Sequence, residues 1–253
     1  MVRPSARKCR SNFHEANAQR WTLVNQLMLS AIIVAAGSSR RLGFDKLTAP
    51  LAGKPLIVHT LEAFAATQPV EEIIVVTRSD RINEFELLFR SASKPVKVVS
   101  GGEHRHNSVQ AGLREVSQAT QYVSVHDGAR PLITPSQIEQ VFAQAQTCGA
   151  ASLAEPVRDT LKRAGDNLEV RESIDRQQVY AMQTPQIFER RLLERAYEEV
   201  LSGNHLVTDE VSAIELLGGK VTLVPNPEAN FKITYQRDLE LAEAVLLQRQ
   251  KHA

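Results

Sequence analysis

The chain has 253 residues, of which 43% are hydrophobic and 23% charged, and its formal net charge is +1. These values are ordinary for a globular protein, and a charge near zero gives no reason to expect a nucleic-acid partner. Cys9 and Cys148 have no metal-ligand spacing, and no apolar run reaches the ~18 residues of a membrane span. We therefore expect neither nucleic acid nor membrane as a partner, and a cytoplasmic setting.

The first 28 residues differ from the rest, since they carry five basic residues, one acidic residue and little apolar periodicity. They contain no hydrophobic core of a signal peptide. We interpret them as a disordered extension, or as translation begun upstream of a start at Met28. An organellar transit peptide is the alternative, and would place the protein in a plastid. Residues 29–253 are predicted to form a single domain.

Short apolar runs alternate with stretches of helical period along this domain. The predicted strands are Ala31–Ala35, Ile73–Thr77, Val96–Val99, Tyr122–His126, Ala151–Ala154 and Val221–Val224. The predicted helices are Pro55–Ala66, Glu103–Ser117, Pro135–Gln146, Glu189–Leu201, Thr208–Leu217 and Arg237–Gln250. The alternation predicts an α/β, Rossmann-like fold with a mostly parallel sheet flanked by helices.

Ligands of such sheets bind at the carboxyl ends of the strands. This rule selects the loop after Ala35, the loop at Ser100-Gly101-Gly102 and the loop after His126. At the helix ends, Pro55 is predicted to be a first helical residue and Thr208 an N-cap, while Gly218 ends its helix.

Residues 156–176 break the alternation, because polar and apolar residues alternate there around a Gly165-Asp166-Asn167 turn. The pattern predicts a β-hairpin arm extending from the sheet. Since a lone hairpin has little core of its own, we expect it to lie against a second subunit.

The first loop belongs to the stretch "IIVAAGSSRRLGFDK", which begins at Ile32. It matches neither the Walker nor the dinucleotide-binding glycine pattern. Small residues (Ala35, Ala36, Gly37) let backbone approach a ligand and form an anion-binding nest, and Arg41 and Lys46 suit phosphate oxygens. A solvated basic loop is the alternative for the stretch taken alone.

The wider pattern resembles the sugar-nucleotide-type nucleotidyltransferases and, among them, the 2-C-methyl-D-erythritol 4-phosphate cytidylyltransferase family. Beside the loop, the matching blocks follow the family's order. They are "GGEHRHNSV" (101–109), "VHDGARPLI" (125–133), "PVRDTLKR" (156–163), "IDRQQVYAMQTPQIF" (174–188), "TDEVSAIE" (208–215) and "NFKIT" (230–234). The spacer between Arg41 and Lys46 is two residues shorter than in some members. Glu103 and Gly128 stand where aspartate and alanine are common.

The resemblance implies that a phosphate oxygen of methylerythritol phosphate attacks the α-phosphorus of CTP, and that pyrophosphate leaves. Because this nucleophile is already an anion, catalysis is expected to rest on positioning and charge neutralisation. By resemblance, Arg41, Lys46 and Lys232 are the catalytic cations. Asp127 is a catalytic residue that either binds Mg²⁺ or contacts a substrate hydroxyl, with a turn aspartate as the structural alternative.

The resemblance also implies the residues that bind the two substrates. Those for the nucleotide are Ala35, Ala36, Gly37, Gly101, Gly102, Glu103, Ser108 and Gly128. Those for the polyol phosphate are Arg130, Thr160, Arg176, Thr184 and Thr208. It further implies a homodimer whose arms exchange, so that Thr160 acts at the partner's site. A plain Gly-Gly turn and a helix N-cap are the alternatives for Gly101-Gly102 and Thr208.

Two other functions stay open from the sequence. One is a ribitol-5-phosphate cytidylyltransferase, against which "PVRDTLKR" and "AMQTPQIF" favour the methylerythritol enzyme. The other is an inactive nucleotide-binding regulatory protein, which the joint presence of Arg41, Lys46, Asp127 and Lys232 argues against. The interrupted glycine pattern disfavours an NAD-binding dehydrogenase.

Overall fold

A computed structural model of the chain describes residues 28–37, 45–203 and 205–252. The predicted N-terminal extension, apart from its last residue, lies outside the described residues, as does Arg41. Within them the strands are β1 (Leu29–Val34), β2 (Pro50–Leu51), β3 (Lys54–Pro55), β4 (Val70–Thr77), β5 (Val96–Ser100), β6 (Tyr122–Asp127), β7 (Ala150–Pro156), β8 (Leu161–Ala164), β9 (Val170–Ile174), β10 (Tyr180–Glu189) and β11 (Thr222–Pro225).

The helices of the same residues alternate with these strands. They are α1 (Leu56–Ala66), α2 (Ile82–Leu88), α3 (Arg105–Glu115), α4 (Pro135–Cys148), α5 (Arg190–Ser202), α6 (Glu210–Leu216) and α7 (Gln236–His252). In the part of the chain that the structure describes, none of them is long and apolar enough to cross a membrane.

A seven-stranded sheet organises the domain, with the order β11-β7-β10-β6-β1-β4-β5. β1 pairs in parallel with both β4 and β6, β4 with β5, and β7 with β11. β10 alone runs antiparallel, between β6 and β7. The predicted α/β fold with a mostly parallel sheet is therefore confirmed.

Helices cover both faces of the sheet, which is why β1 is continuously apolar from Ala31 to Val34. Ile33 points to the face packed by α1, α2, α4 and α7, where Phe64 and Phe85 are fully buried. Ile32 points to the opposite face, against α3, α5 and α6. Each such side chain contributes about 1.5–3 kcal/mol through removal from water, so the strand is fixed from both sides.

The sequence reading missed β10, because Gln183, Thr184, Pro185 and Gln186 interrupt its apolar pattern. Proline is disfavoured inside a strand, since it has no backbone N–H to donate. In the structure, the pairing of β10 with β7 shifts register between Met182 and Gln186. Pro185 lies in that irregularity, where the regular ladder is interrupted.

Helix boundaries confirm some local predictions and correct others. Gly218 follows α6 with a φ of +69°, a conformation that glycine adopts without strain, so its predicted role as a stop is confirmed. The predicted N-cap at Thr208 is wrong, because Asp209 precedes α6 and accepts a hydrogen bond from the Ser212 N–H. Pro55 precedes α1 instead of opening it. The short α2 and the β2–β3 pair were not predicted.

The predicted hairpin arm is confirmed as β8 and β9, which pair antiparallel around the turn that begins at Gly165. Arm residues are mostly exposed, including the large apolar side chains of Leu168 and Val170. The arm forms a two-stranded sheet separate from the central one.

Gly112 lets α3 approach the sheet closely. A Cβ added there would lie 2.7 Å from Ile32 Cγ2 and 2.9 Å from Val76 Cγ2. Replacing glycine by alanine inside a helix ordinarily stabilises by about 1 kcal/mol, whereas overpacking a core costs about 1–3 kcal/mol. We expect Gly112→Ala to lower the free energy of unfolding, measured by urea denaturation, by about 1 kcal/mol.

Arg114→Ala on the exposed face of the same helix is the matched control, and we expect a change within about 0.5 kcal/mol. If Gly112→Ala raised the free energy of unfolding instead, the close approach of α3 to the sheet would be contradicted.

Candidate active site

A cleft of about 260 Å³ opens at the carboxyl ends of β1, β5 and β6, where the sequence placed the ligand site. It collects many of the predicted residues from segments far apart in the chain. Its lining comprises Val34, Ala35, Ala36, Gly37, Lys46, Leu47, Gly102, Glu103, His104, Arg105, Ser108, Asp127, Ala129 and Lys232.

Gly101 brings two walls of the cleft together. A Cβ at this position would lie 2.6 Å from Ser108 Oγ and 2.9 Å from Ala36 Cβ, so only glycine fits without displacement. The Gly101 N–H donates to Thr77 O at 2.7 Å, which anchors the loop to the end of β4. The predicted nucleotide loops after β1 and β5 are therefore in direct contact.

Two predicted nucleotide-binding residues have structural contacts of their own. The hydroxyl of Ser108 is nearly buried and accepts a hydrogen bond from the Gly102 N–H at 3.3 Å. Gly128 lies behind the cleft and its N–H donates to Val34 O at 2.9 Å. Both residues hold the loops in place, whatever contacts they make with a nucleotide.

Lys46 also lines the cleft. Its ammonium donates to Ile233 O at 2.8 Å. The turn that carries it is held by Asp45, which accepts from the Leu47 N–H at 3.1 Å and pairs with the Arg81 guanidinium. The hydrogen bond from Lys46 to Ile233 O places Lys46 beside the segment that contains Lys232.

Asp127, the last residue of β6, lies at the base of the cleft with its side chain 10% exposed. Its Oδ2 is 3.1 Å from Lys232 Nζ and 3.2 Å from Arg130 Nε, and its Oδ1 is 3.7 Å from Arg105 Nη2. One carboxylate therefore lies among three cations contributed by three different segments.

Electrostatics keep this carboxylate ionised. Burial opposes its charge, but Lys232, Arg105 and Arg130 outweigh burial and hold the pKa of Asp127 well below its usual range. Four cations (Lys46, Arg105, Arg130 and Lys232) lie in or beside the cleft, and the described acidic side chains there are Asp127, Glu103 in the lining and Glu210 behind Arg105. Three of the cations converge on Asp127, an arrangement that suits an anionic ligand.

Lys232 arrives on a loop that follows β11, at the far side of the sheet from β6. Side chains of β10 anchor that loop, since Gln183 Oε1 accepts from Asn226 Nδ2 at 2.9 Å and from Asn230 Nδ2 at 3.1 Å. The Ile233 N–H also donates to Ala129 O at 2.8 Å. These buried bonds bring Lys232 across two strands to Asp127.

Arg105 is a cleft residue that the sequence reading missed. It opens α3 directly after the predicted base-binding loop, and its guanidinium pairs with Glu210, where one of the two contacts is 2.9 Å long. Its place in the "GGEHRHNSV" block was the available signal. Its acidic partner is 105 residues away, so no local pattern points to the pair.

The residues predicted for the polyol phosphate are placed in different surroundings. Arg130 is largely engaged by the protein, with Nη1 donating to Asn230 O at 2.9 Å. Thr184 is buried beneath Asp127. Thr208 is exposed and its hydroxyl is 3.2 Å from Ser212 Oγ. Thr160 and Arg176 are exposed on or beside the arm and do not belong to the cleft lining that the structure describes.

A buried hydrogen-bond chain lies directly behind the cleft. His126 Nε2 is 3.3 Å from Arg130 O, and His126 Nδ1 is 3.1 Å from Thr184 Oγ1. The Asp127 N–H in turn donates to Thr184 Oγ1 at 3.0 Å. Since a carbonyl only accepts, we assign the imidazole hydrogen to Nε2 and the Thr184 hydroxyl hydrogen to the bond with Nδ1. A neutral histidine satisfies every bond in this chain.

The cleft combines glycine-rich loops at the ends of parallel strands, several cations and the ionised carboxylate of Asp127. Together with the fold, it defines the protein as a member of the nucleotidyltransferase class, whose sites handle a nucleoside triphosphate.

The chain belongs to the family "IspD: 2-C-methyl-D-erythritol 4-phosphate cytidylyltransferase", whose model matches residues 29–248. The enzyme of that name from Alkaliphilus metalliredigens is 38% identical over 226 residues, which cover 87% of this chain and 94% of the relative. Its counterpart from Ralstonia nicotianae is 39% identical over 229 residues, covering 85% and 90%.

A solved structure agrees with this assignment. The crystal structure of 4-diphosphocytidyl-2C-methyl-D-erythritol synthase from Anaerococcus prevotii superimposes with a TM-score of 0.79 at 29% sequence identity, covering 88% of this chain and all of the other. The family membership confirms the resemblance inferred from the motif blocks.

His126 gives stability a specific pH dependence. Burial lowers the pKa of His126 from 6.5 to about 3 in the folded chain. As pH falls, the unfolded chain therefore takes up this proton first, so the stabilisation is complete above about pH 6.5 and is lost between about pH 6.5 and pH 3. We expect urea midpoints to fall on acidification from pH 7 to pH 5, with a limiting slope of about 1.4 kcal/mol per pH unit for this group.

His126→Gln should flatten the pH dependence, whereas His205→Gln, at an exposed position, should leave it unchanged. Burial also lowers the pKa of His59, so a smaller slope of the same sign should persist in His126→Gln. Equal slopes in the wild type and His126→Gln would contradict the assignment of a neutral, buried His126.

Proposed function

We propose that the chain transfers CMP from CTP to 2-C-methyl-D-erythritol 4-phosphate, yielding 4-diphosphocytidyl-2-C-methyl-D-erythritol and pyrophosphate in isoprenoid precursor synthesis. Membership of the family over residues 29–248 supports the choice of substrates. The observation that carries the proposal is the cleft itself, which Lys46 lines together with the glycine loops, and in which Lys232 and Arg105 pair with the ionised Asp127.

In the proposed reaction a phosphate oxygen of the polyol phosphate attacks the α-phosphorus of CTP. The new P–O bond forms as the bond between the α-phosphorus and the bridging oxygen breaks, and that oxygen leaves with pyrophosphate. No proton has to be removed from the nucleophile. The work of the site is therefore to hold two anions together, and preformed cations do this with little reorganisation.

Lys46 and Lys232 are proposed to neutralise charge at the reacting phosphates, together with Arg41. The Lys46 ammonium and the Lys232 segment are already in contact through Ile233 O. Asp127 keeps Lys232 extended into the cleft by their 3.1 Å ion pair. Binding of the substrate phosphates would then compete with Asp127 for Lys232, a cation that is already in place.

Cytosine recognition is proposed for the loop of Gly101, Gly102 and Glu103. Because the Gly101 and Gly102 N–H groups already donate to Thr77 O and Ser108 Oγ, the loop is proposed to pair with the polar edge of a base through its carbonyls and the Glu103 backbone. Unpaired polar groups would penalise the wrong base. Ala35, Ala36 and Gly37 form the facing wall. Gly37 has open space around its Cα, because an added Cβ would meet no described atom within 4 Å.

We also propose that Mg²⁺ is the cofactor. Among the described residues no group of three or more His, Cys, Asp or Glu side chains is arranged to hold a metal ion. Magnesium, however, is commonly bound by one or two carboxylates together with substrate phosphates and water. Asp127 fits this pattern, and its Oδ1 has the looser protein contact, 3.7 Å from Arg105. When bound, Mg²⁺ would add neutralising charge at the triphosphate.

A homodimer completes the proposal. The exposed arm carries Thr160 and Arg176 outside the cleft lining that the structure describes, and its large apolar side chains Leu168 and Val170 are open to solvent. Exchange of arms between two copies would cover these side chains and bring Thr160 and Arg176 to the partner's cleft. A cytoplasmic setting, or a plastid if the first 28 residues are a transit peptide, stays a prediction.

The proposed activity predicts release of pyrophosphate when the purified chain receives CTP, Mg²⁺ and 2-C-methyl-D-erythritol 4-phosphate. We expect slower release with ribitol 5-phosphate and strong dependence on Mg²⁺. A higher kcat/KM with ribitol 5-phosphate would contradict the choice of polyol. Binding of CTP without release of pyrophosphate from either polyol phosphate would favour the regulatory alternative.

Two lysine variants separate this activity from contaminants. Lys46→Ala should lower kcat at least about 100-fold and change CTP affinity much less. Lys220→Ala, at an exposed position outside the cleft, is the matched control and should retain wild-type rates.

The arm proposal predicts complementation between two inactive variants. Lys46→Ala has an intact arm and a defective cleft, and the double variant Thr160→Ala/Arg176→Ala has the reverse. We expect activity to reappear when the two are mixed and allowed to exchange subunits, with light scattering showing dimers throughout. Arg171→Ala, exposed on the same arm, should be active alone. Monomers, or dimers that never regain activity on mixing, would contradict arm exchange.

A further inference from the structure

Arg105 lies where the predicted base-binding loop meets the carboxylate of the reaction centre. It is the first residue of α3, directly after the segment Gly101–His104, and its side chain is 25% exposed in the wall of the cleft. Its Nη2 is 3.7 Å from Asp127 Oδ1. Any displacement of this guanidinium would therefore affect the base loop and Asp127 together.

Glu210 holds Arg105 from behind. It is the first residue of α6, has no exposed surface, and its two oxygens face the two terminal nitrogens of Arg105, with Nη2 to Oε2 at 2.9 Å. This bidentate arrangement restricts the orientation of the guanidinium plane as well as its distance.

Further bonds fix Glu210 in turn. Tyr197, which is 2% exposed on α5, donates from its hydroxyl to Glu210 Oε1 at 2.9 Å. The Glu210 N–H donates to Gln186 Oε1 at 3.1 Å, and Gln186 belongs to β10. Two helices and the sheet thus determine where the carboxylate lies, and the carboxylate determines where Arg105 lies.

The charge of Arg105 cannot be relieved by titration, because a guanidinium stays protonated in proteins. Burial disfavours its charge, but Glu210 and Asp127 outweigh burial and raise the pKa of Arg105 above its ordinary value. Without Glu210 the cation would be left with Asp127 alone, where Lys232 and Arg130 already compete. A partly buried cation that loses its partner moves to find another or destabilises its surroundings.

We propose that Glu210 is a positioning residue for the nucleotide, which acts by fixing the Arg105 guanidinium between the base loop and Asp127. The proposal rests on the proposed function, since it names CTP as the ligand that the fixed guanidinium helps to bind. Glu210 is not among the described residues that line the cleft, and its link to them is the ion pair with Arg105, through which it is proposed to act on CTP.

The test compares Glu210→Gln with the wild type in steady-state kinetics and in calorimetric titration with CTP and Mg²⁺. Glutamine keeps the shape and an acceptor for Tyr197 but removes the ion pair. We expect kcat/KM for CTP to fall about 10-fold or more, with weaker CTP binding. The KM for the polyol phosphate should change by less than about 3-fold, because Arg105 follows the base loop in sequence.

Tyr197→Phe is the matched control, because it removes a hydrogen bond from the same carboxylate and leaves the ion pair intact. It should lower the unfolding temperature and keep CTP kinetics within about 3-fold of wild type. If Tyr197→Phe and Glu210→Gln lost CTP affinity equally, or if Glu210→Gln lost only thermal stability, the positioning role would be overturned.

Arg105→Gln breaks the same ion pair at its more exposed partner. It replaces Glu210→Gln in the test if that variant does not fold. It should weaken CTP binding as Glu210→Gln does. The double variant should bind CTP no more weakly than the single variant with the lower CTP affinity, because both changes break the same interaction. Additive losses would overturn the proposal.

The two proposals fail in distinguishable ways. A wild type that binds CTP but releases no pyrophosphate contradicts the proposed function, and the calorimetric comparison with Glu210→Gln still decides the role of the ion pair. A wild type that does not bind CTP overturns both.

Discussion

The structure depends on one buried negative charge at the end of β6. Burying the Asp127 carboxylate is unfavourable unless cations accompany it, and the chain supplies Lys232, Arg130 and Arg105 from three different segments. Each of these cations fixes the loop or helix that carries it. The same electrostatic requirement that keeps Asp127 ionised therefore assembles the walls of the cleft.

This arrangement prepares the site for anions before any substrate arrives. The cations around Asp127 are already desolvated in part and held at short distances, so binding of phosphate groups exchanges one anionic partner for others. The described cleft lining places Lys46, Arg105 and Lys232 beside Asp127 and Glu103, so a chain of net charge +1 still gathers cations at one site. Local placement matters here, and overall charge does not.

β10 carries polar residues inside the sheet, and these residues hold the loop that places Lys232 in the cleft. Gln183 and Thr184 accept hydrogen bonds from Asn226 and Asn230, which hold the loop that carries Lys232. Gln186 accepts from the backbone of Glu210. These bonds satisfy amide groups of Gln183, Gln186 and Asn226, and the Nδ2 group of Asn230, that would otherwise be costly to bury. They also make the strand look unlike a strand in sequence.

The contrast shows what the sequence could predict. Buried strands such as β1 were predictable, because both faces demand apolar residues and the run becomes continuous. Asp127, Lys46 and Lys232 were predicted as site residues through their motif blocks; the structure brings them together in one cleft, and their roles stay predictions. Arg105 and Glu210 were not, because their pairing depends on the packing of α3 against α6. The N-cap of α6 is Asp209 and not Thr208, an ambiguity of one residue that arises because both adjacent side chains suit that position.

The neutral state of His126 follows from the same charge distribution. A protonated imidazole would lose its acceptor at Nδ1, so the Thr184 hydroxyl would lose the partner of its only hydrogen. It would also place another positive charge directly behind Asp127, in competition with Lys232 for the carboxylate. Burial that keeps His126 neutral therefore preserves both the backbone position of Asp127 and its ion pair with Lys232. For Thr184 to donate to a substrate phosphate, this chain would first have to open, so its contribution to binding passes most directly through the placement of Asp127.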